Sequence, residues 1–508
     1  MRSTIDCDVC VIGAGAGGAV VAAELAEGGA SVVLLDQGPH HDADSFTARP
    51  PQMLASLYRD AGQTITLGNP PILLPLGSGL GGTTLVNSGT CFRTPPAVLD
   101  AWRQQFGLQV DEQELDRCFT RVEEAISVAE VTPELAGGNA AVARRGAERL
   151  GWSHGYLRRN AKGCVGSGVC AFGCPTSAKQ HTGITYVPRA KAAGAQVLTG
   201  ACVQRIATRG GRFSHVEAQL ADGGALAVQA DRAVIAAGTI HTPGLLAASG
   251  LGLASGQLGR NLSIHPATAG FALMDERVDM GRGVPQSFYV DEFAAQGIIF
   301  EGVAGPPSYA AMSLPLSGAK HAQAMARYPY LAQFGLMVSD SSRGSVHAPA
   351  AAARLLPGAA GRLVSRLGQA PVIRYDLDDA DLARFRSGLQ RLQELFHAAG
   401  AREVYLPLPE GVAPASARRN DLRLMAFHPL GTARAHSRAG EGVVDSNLAL
   451  HGVKGVHVAD GSVVPSSLGV NPQLTIMALA SRLAFHLLGA PVPGSRAEPE
   501  HVDIPCPS

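Results

Sequence analysis

Several shortages narrow what this chain does. Aromatic residues make up only 5% of its 508 residues, and glycine is abundant, with 61 copies, so close packing of small side chains is expected in place of large aromatic cores. Basic and acidic residues balance at 42 each, which leaves no basic face for nucleic acid. Long apolar runs are missing. The best candidate, 474–488, is broken by Arg482 and His486, so no transmembrane segment is expected. A strand pattern begins close to Met1 and leaves no room for a signal peptide. The expectation is a cytoplasmic protein, with peripheral contact to a membrane surface left open. The 9 cysteines are odd in number and unevenly spread, which argues against a disulfide framework. Cys7 and Cys10 stand three apart in a predicted strand, where they point to opposite faces, so they read as small buried hydrophobes.

What is present starts at once. Residues 6–12 form an apolar run, followed by Gly13-Ala-Gly15-Ala-Gly-Gly18, a small-residue helix, and a second apolar run ending in Asp36. Gly13 suits the tight turn, Gly15 lets a pyrophosphate approach the backbone, and Gly18 allows close helix–strand contact. The helix N-terminus offers unpaired N–H groups to phosphate, and Asp36 stands where a carboxylate binds a ribose hydroxyl. The reading is a bound dinucleotide, with FAD and NAD not distinguished by this motif.

A second glycine-rich loop, Gly81-Gly82-Thr83-Thr84-Leu-Val-Asn87, can wrap a polar ligand or be a plain surface loop. Residues 42–60 read as irregular, 102–129 as helices with a cap near Asp111, 132–141 as a loop and 142–150 as a helix. Residues 183–195 read as a short helix and turn. Residues 196–229 read as an antiparallel meander, 232–238 as a separate buried strand, and Thr242-Pro243 opens a helix. Residues 349–369 look like an exposed insertion. Residues 371–377 read as a strand. Residues 381–399 form an amphipathic helix with Leu382, Phe385, Leu389, Leu392 and Phe396 on one face, capped by Asp378 or Asp379.

The C-terminal third carries Phe427-His428-Pro429-Leu-Gly431-Thr432, Ala459-Asp460-Gly461-Ser462 and Gly469-Val-Asn471-Pro472-Gln-Leu-Thr475. With the loop at 81–87, Ala236-Ala237-Gly238-Thr-Ile-His-Thr-Pro243 and Gly259-Arg-Asn261-Leu262, these ordered motifs resemble the glucose-methanol-choline oxidoreductases, along the whole chain. A cysteine–glycine cluster leading into Lys179-Gln180-His181-Thr182 is similar to the long-chain alcohol oxidases of that family. The resemblance implies an α/β fold in which a Rossmann-like FAD-binding domain (1–45, 70–100, 196–266, 440–490) is interleaved with a mixed-sheet, α+β substrate-binding domain (46–69, 101–195, 267–439). A loose tail follows at 491–508. It implies FAD held by Gly13, Gly15, Gly18, Asp36, Gly81, Gly82, Thr83, Asn87, Val203, Ala237, Gly238, Asp460, Gly461, Pro472 and Thr475. Val86 stands where some members carry a histidine linked to the flavin, so the FAD is expected to be non-covalent.

Alcohol oxidation needs an acceptor for the hydride and a base for the hydroxyl proton. His428 is the expected base, since histidine titrates near neutrality. Asn471 is the expected donor to the developing alkoxide. Both precede proline, which biases their backbones to extended geometry. His265 also precedes proline, but its match is to a flavin-domain signature, and His436, His451 and His457 read as structural or solvated. Cys164, Cys170 and Cys174, separated by glycines and closed by Pro175, suit a three-iron, four-sulfur (3Fe–4S) cluster, as in sugar dehydrogenases similar in this spacing. Zinc with His181, a disulfide, or simple packing are the alternatives. The expected function is oxidation of a primary or apolar alcohol to the aldehyde. A sugar or polyol dehydrogenase relaying electrons through the cluster is the alternative, and a non-catalytic flavin carrier is the alternative of another class. The acceptor is oxygen, a quinone or a cytochrome.

Overall fold

The strand Arg2–Ile12 is the axis of the first of two large sheets. Val32–Leu35 lies parallel on one side of it, with Gln196–Leu198 beyond. Ala225–Ile235 lies parallel on the other side along its whole length. The far edge of Ala225–Ile235 is shared. Its first half pairs antiparallel with Arg212–Leu220, which carries Ala201–Arg209 outside it, and its second half pairs parallel with Val456–Val458. The expected meander and the expected separate strand are therefore continuous: Ala225–Ile235 is one 11-residue strand. The helix Gly18–Glu27 buries Gly18 through Ala26 against this sheet. Its alanines and valines leave no bulky side chain to hold the two layers apart. The structure, a computed structural model, describes residues 2–347 and 371–494. The expected insertion at 349–369, and the tail from 495, lie outside the described residues.

The second sheet has eight strands and is mostly antiparallel, built around Pro266–Leu273, Leu331–Val338 and Ile298–Gly302. The helices Asp379–Ala398 and Pro133–Leu150 belong to its core through Leu382, Phe385, Leu389, Leu392, Ala140 and Ala143. Asp378 caps the longer helix by accepting a hydrogen bond from the Asp381 N–H at 2.7 Å. Each fully buried leucine on that face contributes about 2 kcal/mol of burial. A Cβ on Gly146 would stand 2.4 Å from the Leu395 carbonyl oxygen, so glycine there is what lets the two helices touch.

Several expectations are corrected. Residues 50–57 form a helix, opened by two prolines at its first turn, where a missing N–H costs nothing. The helix expected from 142 starts at Pro133 and is kinked at Gly137, whose φ of +77° lets the chain pass the Arg282 carbonyl. The glycine pair there looks like a loop in sequence and is a bend in a helix. The core of the first sheet also takes in Pro96–Phe106, Glu112–Ala125 and Tyr186–Ala192 through Trp102, Phe119 and Tyr186. Those residues were expected with the substrate part. Conversely, Ile72–Leu73 joins the second sheet. Cys10 is buried and Cys7 half-buried in the first strand. Among the described residues no helix is long and apolar enough to cross a membrane.

Candidate active site

Between the two sheets lies one cavity of about 1950 Å³. That exceeds the roughly 300–1,000 Å³ of an ordinary small-molecule pocket, so there is room for a large cofactor and a substrate together. Gly13, Gly15, Asp36, Gly82, Thr83, Asn87, Val203, Ala237, Gly238, Asp460, Gly461 and Pro472 all line it, with His428 and Asn471. Gly18, Gly81 and Thr475 do not line it. Gly18 packs the helix on the sheet, where a Cβ would lie 1.9 Å from the Gly13 oxygen, and the Thr475 hydroxyl bonds Thr94 at 2.8 Å.

The glycines divide by what surrounds them. A Cβ on Gly17 would stand 1.6 Å from the Ala459 oxygen, and one on Gly13 2.3 Å from the Ala236 oxygen. Gly15 has nothing within 4 Å of that position, so it faces open cavity. A Cβ on Gly82 would come 3.1 Å from the Gly15 Cα, so the second glycine loop lies against the first. Asp36 accepts hydrogen bonds from the Ala14 and Gly38 N–H groups, both at 2.7 Å, and so ties the turn to the strand end. Asp460 accepts from the Gly238 N–H and the Thr242 hydroxyl, joining the central and C-terminal motifs. The helix Gly18–Glu27 has no side-chain cap, and the Gln473 Nε2, on the cavity wall, has no protein partner. Uncapped N–H groups, an open glycine cradle and an unpartnered amide fit a dinucleotide cofactor.

The polar end is built on a strained turn. Asp340 accepts hydrogen bonds from the Ser263 hydroxyl at 2.6 Å, the Ile264 N–H at 3.0 Å and the Tyr375 hydroxyl at 2.7 Å. The next residue, His265, is buried at a φ of +48°, left-handed despite the proline that follows. Its Nε2 accepts from the Leu468 N–H at 2.9 Å and the Gly469 N–H at 3.3 Å. Its Nδ1 lies 3.3 Å from the His428 Nδ1. Burial pushes the His265 pKa down to about 3, with Arg343 adding to the effect, so the ring is neutral. Because Nε2 accepts from fixed backbone donors, the proton of His265 sits on Nδ1 and is donated to His428. His428 is neutral as well, held well below the ordinary histidine range by burial and then by His265. Its own proton therefore sits on Nε2. That nitrogen is 3.4 Å from the Asn471 Nδ2, and the Asn471 oxygen has no protein partner. The His428 Nε2 stands beside Asn471 on the cavity wall.

Asn471 in turn lies 3.4 Å from Glu301, which accepts from Gln286 at 2.5 Å. Burial pushes the Glu301 pKa up to about 7 against the hydrogen bonds from Asn471 and Gln286, and its Oε1 has no protein partner. Sequence reasoning missed Glu301 and the contact of His265 with His428. The available signal was one acid in the apolar strand Ile298–Gly302, since an unpaired carboxylate is not buried without compensation.

The cysteines are not assembled around a centre. The Cys170 Sγ accepts from Arg159 at 3.2 Å, Cys174 accepts from the Lys179 N–H at 3.5 Å, and Cys164 packs beside the second core. Gly166, Gly168 and Gly173 do have positive φ, but they let the loop pass the Gly281–Gly283 backbone and Phe46. Among the described residues no three of His, Cys, Asp and Glu are grouped to hold a metal, so neither the 3Fe–4S cluster nor zinc is supported. The buried Lys179 has a different task. Its Nζ donates to the carbonyls of Leu85, Asn87 and Cys170 at 2.7–2.8 Å, pinning the second glycine loop to the cysteine loop.

A model of the GMC oxidoreductase family matches residues 54–267 and a second matches 342–480. The chain belongs to the glucose-methanol-choline oxidoreductase family. Residues 11–67 also match a model of NAD(P)-binding Rossmann-like domains. An uncharacterized GMC-type oxidoreductase of Mycobacterium tuberculosis is 41% identical, over 94% of this chain and 75% of its own length. A long-chain-alcohol oxidase of Arabidopsis thaliana is 28% identical, over 94% of this chain and 66% of its own. The pyridoxine 4-oxidase crystal structure shares the fold, with a TM-score of 0.72 at 21% identity, over 94% of this chain and 99% of that one. This GMC oxidoreductase is an FAD-dependent enzyme acting on CH–OH groups. FAD, when bound, supplies the hydride acceptor.

Proposed function

We propose that this GMC oxidoreductase oxidises a primary, apolar alcohol to the aldehyde, using FAD held without a covalent bond. The observation that carries the reading is the continuity of one cavity from the glycine turn at Gly15 to His428 and Asn471. A carbinol at those two side chains lies in the same space as the cofactor cradle. The His428 N–H and the Asn471 amide hold the alcohol oxygen and stabilise the charge that grows on it. Apolar substrate is favoured by the floor, where Ala267, Ala269, Gly335 and Met337 line the cavity, and by Met312 and Phe427, which line it while remaining exposed. The similarity to a long-chain-alcohol oxidase points the same way. Val86, buried beside the second glycine loop, offers the flavin no nucleophile for attachment.

Anaerobic flavin bleaching by n-alcohols from ethanol to dodecanol, beside glucose and sorbitol, tests this. The second-order rate constant should rise with chain length, by roughly fourfold per methylene if each is fully buried. Bleaching by the sugars alone would reject the apolar reading.

A further inference from the structure

We infer that Arg59 clamps the phosphate on the adenosine side of FAD, with the His241 ring as a second polar contact at that end. The inference goes beyond the oxidation chemistry and rests only on FAD being the cofactor of this cavity.

The cavity has a second end, far in character from His428 and Asn471. Asp36, Ala201, Val203, Gly244 and Ala248 line it there. Ala201 adjoins Asp36, whose carbonyl accepts from the Ala201 N–H at 2.9 Å. Small side chains leave room for a flat ring beside the carboxylate expected to bind a ribose. Arg59 is brought to this end by the segment that follows the helix Pro50–Leu57. Its N–H donates to the Leu76 carbonyl at 2.9 Å, and the Ser78 N–H donates back to the Leu57 carbonyl at 2.7 Å. That pairing lays Arg59 along the lead-in to the second glycine loop. The same lead-in packs on Gly38, two residues from Asp36, where a Cβ would stand 2.5 Å from the Gly79 Cα. The chain then turns away through Asp60 and Ala61, at φ of +50° and +51°, left-handed without glycine. Such backbone is unfavourable and gathers at ligand clamps, where the surroundings hold it.

Arg59 is half-buried and lines the cavity, yet among the described residues its guanidinium has no hydrogen-bond or ion-pair partner. The half-buried Arg121 and Arg189, by contrast, pair with Glu24 and Glu27. His241 lines the same cavity, and its buried Nε2 lacks a partner too. Burial first, and then the charge of Arg59, pushes the His241 pKa down to about 4, so the ring is neutral. The same charge lowers the Asp36 pKa against a larger upward push from burial. Arg59 therefore supplies positive charge between the ribose carboxylate and a neutral donor–acceptor ring. A guanidinium fork there matches two oxygens of a phosphate. Riboflavin 5′-monophosphate lacks that phosphate, so the clamp favours the dinucleotide.

The test is binding by the full-length protein stripped of flavin, followed by flavin fluorescence. Arg59→Met keeps the length of the stem and removes the charge. It should raise the Kd for FAD roughly 10–100-fold while leaving that for riboflavin 5′-monophosphate within about twofold. ADP should displace FAD from wild type and do so far less from the variant. Added sodium chloride should weaken FAD binding more steeply in wild type, since salt screens a charged contact. Arg59→Lys should recover part of the loss. The melting temperature of the stripped protein should not move, which separates a lost cofactor contact from a damaged fold. His241→Phe should weaken ADP binding and keep the wild-type salt dependence; unchanged ADP binding would remove His241 from the clamp. Equal FAD affinity, ADP competition and salt dependence in wild type and Arg59→Met would reject the role of Arg59 alone. Wild-type protein that takes up neither FAD nor ADP would reject the cofactor reading and the clamp with it.

Discussion

At the residue scale, the glycines of the first turn make opposite predictions although they are two positions apart. Gly15→Val puts its side chain into open cavity, so the chain should fold with little loss of thermal stability but purify without yellow colour. Gly17→Ala drives a methyl into the Ala459 carbonyl and should lower the soluble yield or the melting temperature. Loss of flavin from both at equal stability would count against the cradle. The sequence motif could not separate these positions, because spacing carries no information about which side of the turn the C-terminal segment occupies. The same limit hid Glu301. It faces Asn471, 170 residues away, whereas the His-Pro and Asn-Pro signatures were legible in one line of sequence.

At the scale of elements, the loop 81–87 is fixed from outside itself. Lys179 supplies three hydrogen bonds to carbonyls that have no strand to pair with, and burial pushes its pKa down to about 8, so the pin remains charged at neutral pH. Lys179→Met fills the space and removes the donors. It should cost on the order of 3 kcal/mol by denaturant unfolding and weaken FAD binding, while the apoprotein keeps its circular-dichroism spectrum. An unchanged unfolding midpoint would show that water replaces the ammonium. The cluster expected at Cys164, Cys170 and Cys174 failed at this same scale. The glycines bend as the sequence suggested, but thiols converge only if the loop closes on itself, and this loop is docked on its neighbours. Helices with regular apolar spacing and a capping aspartate, such as Asp379–Ala398, were legible. The kinked helix at Gly137 was not, because glycine's local cost is repaid by a contact far along the chain.

At the scale of the molecule, two sheets with separate cores meet over one cavity, so a ligand that touches both should stabilise the whole. With non-covalent FAD at one hundred times its Kd, the folded state gains about 2.7 kcal/mol, and the melting temperature should rise with added FAD. Acid precipitation should leave the flavin in the supernatant; colour in the pellet would overturn the non-covalent reading. The Rossmann half of the fold was legible from its turn. The packing of Pro96–Phe106, Glu112–Ala125 and Tyr186–Ala192 on its core was not, since amphipathic helices do not declare which sheet they cover. The parallel position of Val456–Val458 beside Ala225–Ile235 has a consequence for biosynthesis. The glycine turn is made long before this strand, which is followed by Ala459 against Gly17 and by the wall at Asn471 and Gln473. Residues up to Gln473 must leave the exit tunnel before the cavity has all its sides. Flavin is therefore expected to bind only once the segment from 456 to 473 has been made and docked.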